Sequence, residues 1–205
     1  KWWLAAPAPG NGIMLQDGTL LFPSEGRDEK GEAFSTITYS KNGGKTWKTG
    51  RAASRESTTE CAVVELKDGS LMLNMRANKN RGDTSARNGR VVAITKNKGK
   101  SWTVHPSSSH ALPEPTCMAS LHKQNGLLFF SNPASKQFRE NFTIKVSTDE
   151  GLTWPPEYWI LCDELRSRGY SCLSTVDENS IGVLYESSQA DMVFQRFRIA
   201  EFINR

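Results

Sequence analysis

Tyr170 stands between Gly169 and Ser171, two small neighbours that leave room beside a reactive side chain. A phenol with a pKa of about 10 is a poor nucleophile, so a tyrosine attacks carbon only with a carboxylate beside it to take the proton. Two carboxylates, Glu56 and Glu60, precede the apolar run Cys61-Ala62-Val63-Val64, and a third, Glu186, follows Gly182-Val183-Leu184-Tyr185. Arg76 ends the run Leu73-Asn74-Met75, and Arg139 follows soon after Phe130-Ser131-Asn132-Pro133. Arginine is planar, permanently charged and bidentate, so it can hold a ligand carboxylate rigidly where lysine cannot. Each of these residues taken singly also has an ordinary structural reading: a packed tyrosine, a strand-entry glutamate, a surface arginine.

Other reactive types offer less. Cys61, Cys117, Cys162 and Cys172 show neither a CxxC pair nor a Cys/His metal spacing. They are expected to be buried free thiols, with Cys162 and Cys172 the pair to join if a disulfide forms. His105, His110 and His122 have no partner four residues away and receive no catalytic role. Asn141-Phe142-Thr143 fits the glycosylation acceptor triplet, a pattern frequent by chance.

The elements that must position such residues are legible in repeats. Ser40 to Trp47, Thr95 to Trp102 and Ser147 to Trp154 each read Ser/Thr-x-Asn/Asp-x-Gly-x-Thr/Ser-Trp, and their tryptophans recur every 52 to 55 residues. In each box the Asn or Asp caps a tight turn, Gly supplies a positive φ, and the Trp is expected to pack on the hairpin it closes. A second repeat runs in phase with the first. Asp17-Gly18, Asp68-Gly69 and Asn125-Gly126 each join two apolar runs, the strongest short hairpin signal. A looser fourth pass is Asp177 to Ser180, followed by Ile181 to Tyr185. The unit is therefore hairpin, strand, boxed turn, strand, about four strands per repeat, and a period of this length predicts propeller blades. The chain should be all-β, with three full repeats and a terminal strand pair; the one short helical candidate, Asp163 to Arg168, could equally be a loop.

Composition suits a packed β-protein, with 37% hydrophobic and 23% charged residues. A net charge of +4 is mild, and its Lys and Arg are scattered, which argues against nucleic acid as a partner but leaves room for an acidic ligand. No run of apolar residues reaches membrane-spanning length. The chain opens on Lys1 rather than Met, so the lack of a leader sequence carries no meaning. Three repeats and a strand pair leave open sheet edges, because propellers close with about 4–8 blades; either a larger protein or a second copy is expected to cover them.

The boxed turns resemble the Asp-box repeats of the sialidases, exo-acting neuraminidases built on a six-bladed propeller. The resemblance covers essentially the whole chain and matches the C-terminal half of that catalytic domain, so these residues should supply about three to four of the blades. The segments between boxes are more specific. Thr59-Glu60-Cys61-Ala62-Val63-Val64-Glu65-Leu66 is similar to the family segment whose acid activates a tyrosine, and its spacing favours Glu60 over Glu56. The resemblance places two arginines of the family's carboxylate-binding triad at Arg76 and Arg139. Arg168-Gly169-Tyr170-Ser171-Cys172-Leu173 resembles the segment carrying the catalytic tyrosine, and Glu186 stands where the family orients a triad arginine.

What this implies is a retaining exo-α-sialidase acting on terminal sialic acids of glycoproteins, glycolipids or oligosaccharides. Tyr170 would be its nucleophile, Glu60 the base, Arg76 and Arg139 the carboxylate grip and Glu186 a support. A neutral phenol avoids the repulsion that a carboxylate nucleophile would meet at an anionic sugar. The chemistry needs no metal and no organic cofactor. The implied partners are sialylated glycans and the missing N-terminal half of the same domain. The chain departs from the family in one respect: the N-terminal motif with the first triad arginine, and the acid/base aspartate after it, do not occur here. Arg27, Asp28 and Arg55 lie in other contexts. A non-catalytic sialoglycan-binding propeller, or a structural Asp-box domain, remains the alternative. Binding needs the arginines but not a nucleophile with its base.

Overall fold

Cys61 to Val64 and Leu71 to Met75 are almost uniformly apolar, as strands are when both faces are covered. In the computed structural model, which describes residues 2–7 and 9–203, they are the first two strands of one sheet in a β-propeller arrangement of four antiparallel sheets. The first blade contains β1 (Trp2–Pro7), β2 (Ile13–Met14), β3 (Leu20–Asp28), β4 (Ala33–Ser40) and β5 (Lys48–Thr49). Both β1 and β2 pair with β3 and together make one interrupted strand. The second blade is β6 (Thr58–Glu65), β7 (Leu71–Ala77), β8 (Val91–Thr95) and β9 (Thr103–Val104). The third is β10 (Ser120–Gln124), β11 (Leu127–Pro133), β12 (Phe142–Ser147) and β13 (Trp159–Asp163). The fourth is β14 (Ser171–Asp177), β15 (Ser180–Tyr185) and β16 (Val193–Arg198), followed by the helical turn α1 (Ala200–Ile203).

Every hairpin signal joins the first two strands of its blade. Gly18, Gly69 and Gly126 take φ of 77°, 78° and 78°, values that a side chain resists. Every box lies between the third and fourth strands. The box geometry is the same in all three copies: the hydroxyl of Ser40, Thr95 or Ser147 accepts the amide of the box glycine at 2.9–3.0 Å. The Asn or Asp Oδ1 accepts the amide four residues on at 2.9 Å. Asn and Asp make the same bond, so the two residues are interchangeable here.

Successive blades are sealed by apolar seams, and a period of two assigns residues to them. Val63, Leu73 and Met75 pack towards Leu21, Ile37 and Tyr39 of the first blade. Their neighbours Val64 and Met72 pack towards Leu121, Leu128 and Phe130 of the third. Phe129 and Ile144 face Leu173, Ile181 and Val183 of the fourth, where Phe202 of α1 lies edge-on to Phe129 at 5.6 Å.

Three expectations are corrected here, and one open alternative is decided. The terminal strand pair is a three-stranded sheet, because Val193–Arg198 pairs with β15. Asp163 to Arg168 is not helical: Asp163 ends β13, and its carboxylate is taken by Ser188 and the Leu165 amide. The cysteines are all free, but Cys172 is exposed rather than buried, since it points away from the seam that buries Leu173. Nor do the box tryptophans simply pack on their own hairpins. Trp102 of the second blade donates from Nε1 to Arg51 O beyond the first blade's last strand, at 3.0 Å. Trp154 of the third blade is buried in the seam with the second, 5.8 Å from Phe130. Trp47 lies against Phe22 and stays 42% exposed.

Trp102→Ala should therefore loosen the first seam. A fully buried tryptophan costs about 3–5 kcal/mol to truncate; a half-buried ring should cost about 2 kcal/mol, lowering Tm by about 4–8 °C. Trp47→Ala should shift Tm less. Thermal unfolding of the two variants checks this, and equal shifts would deny the seam role.

Candidate active site

The strand ends opposite the boxes gather the reactive residues. Glu60 sits where the pairing of β6 with β7 shifts register between Thr58 and Cys61, an irregularity that re-aims a side chain. Arg76 lies one residue before the end of β7, Arg139 lies between β11 and β12, and Tyr170 immediately precedes β14. Tyr170 Oη donates a hydrogen bond to Glu60 Oε1. The other oxygen, Oε2, accepts from Arg76 Nη1 at 2.5 Å, an ion pair only about one-sixth exposed. The Arg139 guanidinium lies 5.6 Å from the centre of the Tyr170 ring. Glu56, the competing carboxylate, pairs instead with Lys79 at 2.6 Å.

Glu186 is near but differently engaged. Its Oε2 accepts the Tyr170 amide at 3.0 Å, while its own amide donates to Tyr170 O at 2.9 Å. It therefore fixes the tyrosine's backbone, and among the described residues no arginine pairs with it. Gly169 takes a φ of 84°, and a Cβ there would come within 2.9 Å of Pro133 and 3.1 Å of Cys117 Sγ. Glycine is needed on both counts for the chain to enter β14 at this angle.

Burial, the hydrogen bond to Glu60 and the Glu60 charge together push the Tyr170 phenol up to about 12. The tyrosine thus holds its proton at neutral pH and can lose it only to a base already in contact. Burial works against the Arg76 charge, but the Glu60 hydrogen bond and charge outweigh it, so its pKa is raised and the cation is secure.

A buried network behind these residues was not legible in the sequence. Arg90 Nη1 pairs with Glu114 Oε2 at 2.7 Å, with both side chains fully buried. Arg90 also donates to Asn74 Oδ1 and to Cys117 O, each at 2.7 Å. Glu114 Oε1 accepts from the Ala77 amide at 2.8 Å and from Asn80 Nδ2 at 2.7 Å. Arg139 donates to Arg168 O at 2.7 Å and, through Nη2, to Thr116 O at 3.4 Å. Cys117 Sγ donates to Gly169 O at 3.5 Å. The single loop 112–117 thus reaches the residue after Arg76, the guanidinium of Arg139 and the peptide before Tyr170.

Glu60 and Arg76 open on a cavity of about 540 Å³, which Glu25, Arg27, Asn78 and Arg81 also line. Arg27, unplaced by the sequence, is thus beside the pair, whereas Asp28 and Arg55 do not line this cavity. Among the described residues no cluster of His, Cys, Asp and Glu could hold a metal, and no helix is long and apolar enough to cross a membrane.

Comparison with known proteins points one way. The family model described as "BNR repeat-like domain" matches residues 3–126. A sialidase of Bacteroides fragilis is 48% identical over 211 residues, which is 99% of this chain and 37% of that protein. A Micromonospora viridifaciens sialidase is 32% identical over 90% of this chain and 29% of its own length. Among solved structures, a Hadza microbial sialidase superposes with a TM-score of 0.89 and 39% identity, covering 98% of this chain and 39% of that one. Trypanosoma rangeli sialidase gives a TM-score of 0.73 at 25% identity, over 90% of this chain and 30% of that one. The chain thus spans well under half the length of these relatives.

Proposed function

We propose that this chain, which belongs to the BNR repeat-like domain family, forms the C-terminal part of the propeller of a retaining exo-α-sialidase. The observation that carries the reading is the contact of Tyr170 Oη with Glu60, whose second oxygen is held by Arg76. A glycan-binding propeller needs arginines for the sugar carboxylate, but it has no use for a phenol hydrogen-bonded to a carboxylate base.

Tyr170 Oη attacks the anomeric carbon of a terminal sialic acid while Glu60 takes its proton. The bond to the aglycone oxygen breaks, and the sugar is left on the tyrosine. Water then displaces the tyrosine, which recovers its proton from Glu60, and two inversions retain the configuration. A phenol held near pKa 12 is a basic leaving group, so this return proton matters in the second step as much as the first. Arg76 serves twice: it restrains Glu60 and offers its remaining donors to the sugar carboxylate beside Arg139. The acid that protonates the aglycone, the third arginine and the remaining blades belong to residues outside this chain.

Arg139→Lys tests the grip. Lysine keeps the charge but loses the planar pair of donors, so binding of a sialic acid inhibitor should weaken by about 2–3 kcal/mol. Arg196→Lys, at a residue on β16 paired with Asp177, should change little. Calorimetric titration of both variants gives the comparison. Equal losses would mean that general basicity had been mistaken for a site.

A further inference from the structure

We propose that Lys145, buried in the seam between the second and third blades, is a positioning residue: it fixes the direction of the Asn132 amide, and through it the loop 112–117 that holds Arg139 and Tyr170. This deepens the sialidase reading and rests on it. Lys145 lies on β12 between Ile144 and Val146, which pack towards the fourth blade. It therefore points the other way, to the side where Phe130 packs towards the second blade, and it is fully buried there. Its Nζ lies 5.6 Å from the centre of the Phe130 ring and 5.0 Å from that of Trp159. It donates to Asn132 Oδ1, and among the described residues it joins no ion pair.

Such a charge weakens a fold. Burial pushes the Lys145 pKa down to about 7. A methionine would fill the same space beside two aromatic rings without that cost. A residue that breaks a rule of packing is retained for what it does elsewhere. Protonated lysine only donates, so the Asn132 amide must turn its oxygen to Lys145. Its Nδ2 then donates to Pro113 O at 2.9 Å. Reversed, the amide would set oxygen against oxygen at Pro113 and nitrogen against ammonium at Lys145. The lysine thus leaves the amide one direction, and that direction ties the loop to the third blade, as Glu114 ties it to the second.

The loop needs both ties. Thr116 takes a φ of 54°, a left-handed conformation that a β-branched residue resists and keeps only where its surroundings force it. Thr116 O accepts from Arg139 Nη2, and the thiol of Cys117 donates to the carbonyl of Gly169, the residue before Tyr170. A loop that relaxed at Thr116 would carry both contacts with it.

The test compares the complete enzyme with Lys145→Met, Asn132→Leu and the double variant. It measures Tm, kcat/KM on an aryl sialoside and Kd for a sialic acid inhibitor. In Lys145→Met, Tm should hold or rise, because a buried unpaired charge is gone. Its kcat/KM should nevertheless fall by about tenfold or more, and the inhibitor should bind about fivefold or more weakly, the scale set by small displacements of reacting groups. Asn132→Leu should lose at least as much binding and should also lose stability, since it strands the lysine. Adding Lys145→Met to it should restore Tm and cost no further binding, because no amide is left to orient. Activity and binding equal to the wild type in Lys145→Met overturn the positioning role. An unstable or unfolded Lys145→Met overturns it as well, since the lysine would then be structural. A further loss of binding in the double variant does the same, because the lysine would not act through Asn132. If the wild type neither cleaves the sialoside nor binds the inhibitor, the sialidase reading itself fails and takes the positioning role with it.

Discussion

Tyr170→Phe is expected to lower kcat on an aryl sialoside by about three orders of magnitude or more while leaving Tm nearly unchanged. The substitution removes one oxygen and little else. The ring keeps its place under Arg139, its amide still reaches Glu186, and Glu60 still pairs with Arg76. What disappears is the atom proposed to bond to the sugar. Glu60→Gln should cost a similar factor, because a phenol near pKa 12 cannot attack without a base to receive its proton. The double variant should be no slower than the worse of the two singles if, as proposed, the pair acts as a unit. Turnover within about tenfold of the wild type in Tyr170→Phe would remove the tyrosine from the mechanism.

Glu114→Ala should be the most destabilising single change near the site. It leaves the Arg90 guanidinium fully buried without its counter-charge and removes the acceptor of the Ala77 amide and of Asn80. Breaking a buried pair from one side costs about 3–5 kcal/mol, which for a domain of this size lowers Tm by about 6–20 °C. Glu114→Gln separates charge from shape. It can still accept from Ala77 and Asn80 but cannot neutralise Arg90, so most of the loss should remain. A Gln variant as stable as the wild type would show that the hydrogen bonds, not the charge, hold the loop. Because that loop also touches Arg139 and the peptide before Tyr170, folded molecules of either variant should bind a sialic acid inhibitor less tightly.

The architecture was readable because each of its devices is local. Asn125-Gly126 makes its turn from its own φ values of 52° and 78°, and a box closes with bonds that span four residues. Such signals survive in a string of letters. The alternation of Val63 and Val64 between two seams follows from strand geometry alone. What stayed hidden is long-range. Arg90 reads as a charge before an apolar strand, and Glu114 as a loop residue between two prolines; nothing local says that they meet. The seam tryptophans reach partners that no local signal announces for the same reason: Trp102 and Arg51 are separated by a whole blade of chain. Of the site, Tyr170, Glu60, Arg76 and Arg139 could be named from sequence because their motifs resemble a known family, not because spacing implied that they converge.

The direction in which the box tryptophans reach has a consequence for synthesis. Trp102 reaches from the second blade to the first, while Trp154, with Glu150 accepting the Lys67 amide at 2.6 Å, reaches from the third to the second. Each fastener is thus encoded after the whole of the earlier sheet and the first three strands of the later one. At about 5–20 residues per second a ribosome spends roughly 3–11 s on one repeat of this length, far longer than the microseconds in which a hairpin forms. A blade can therefore be complete before the box that locks it to its successor leaves the ribosome. The seams can therefore close in the order of translation, since each joins segments of neighbouring blades.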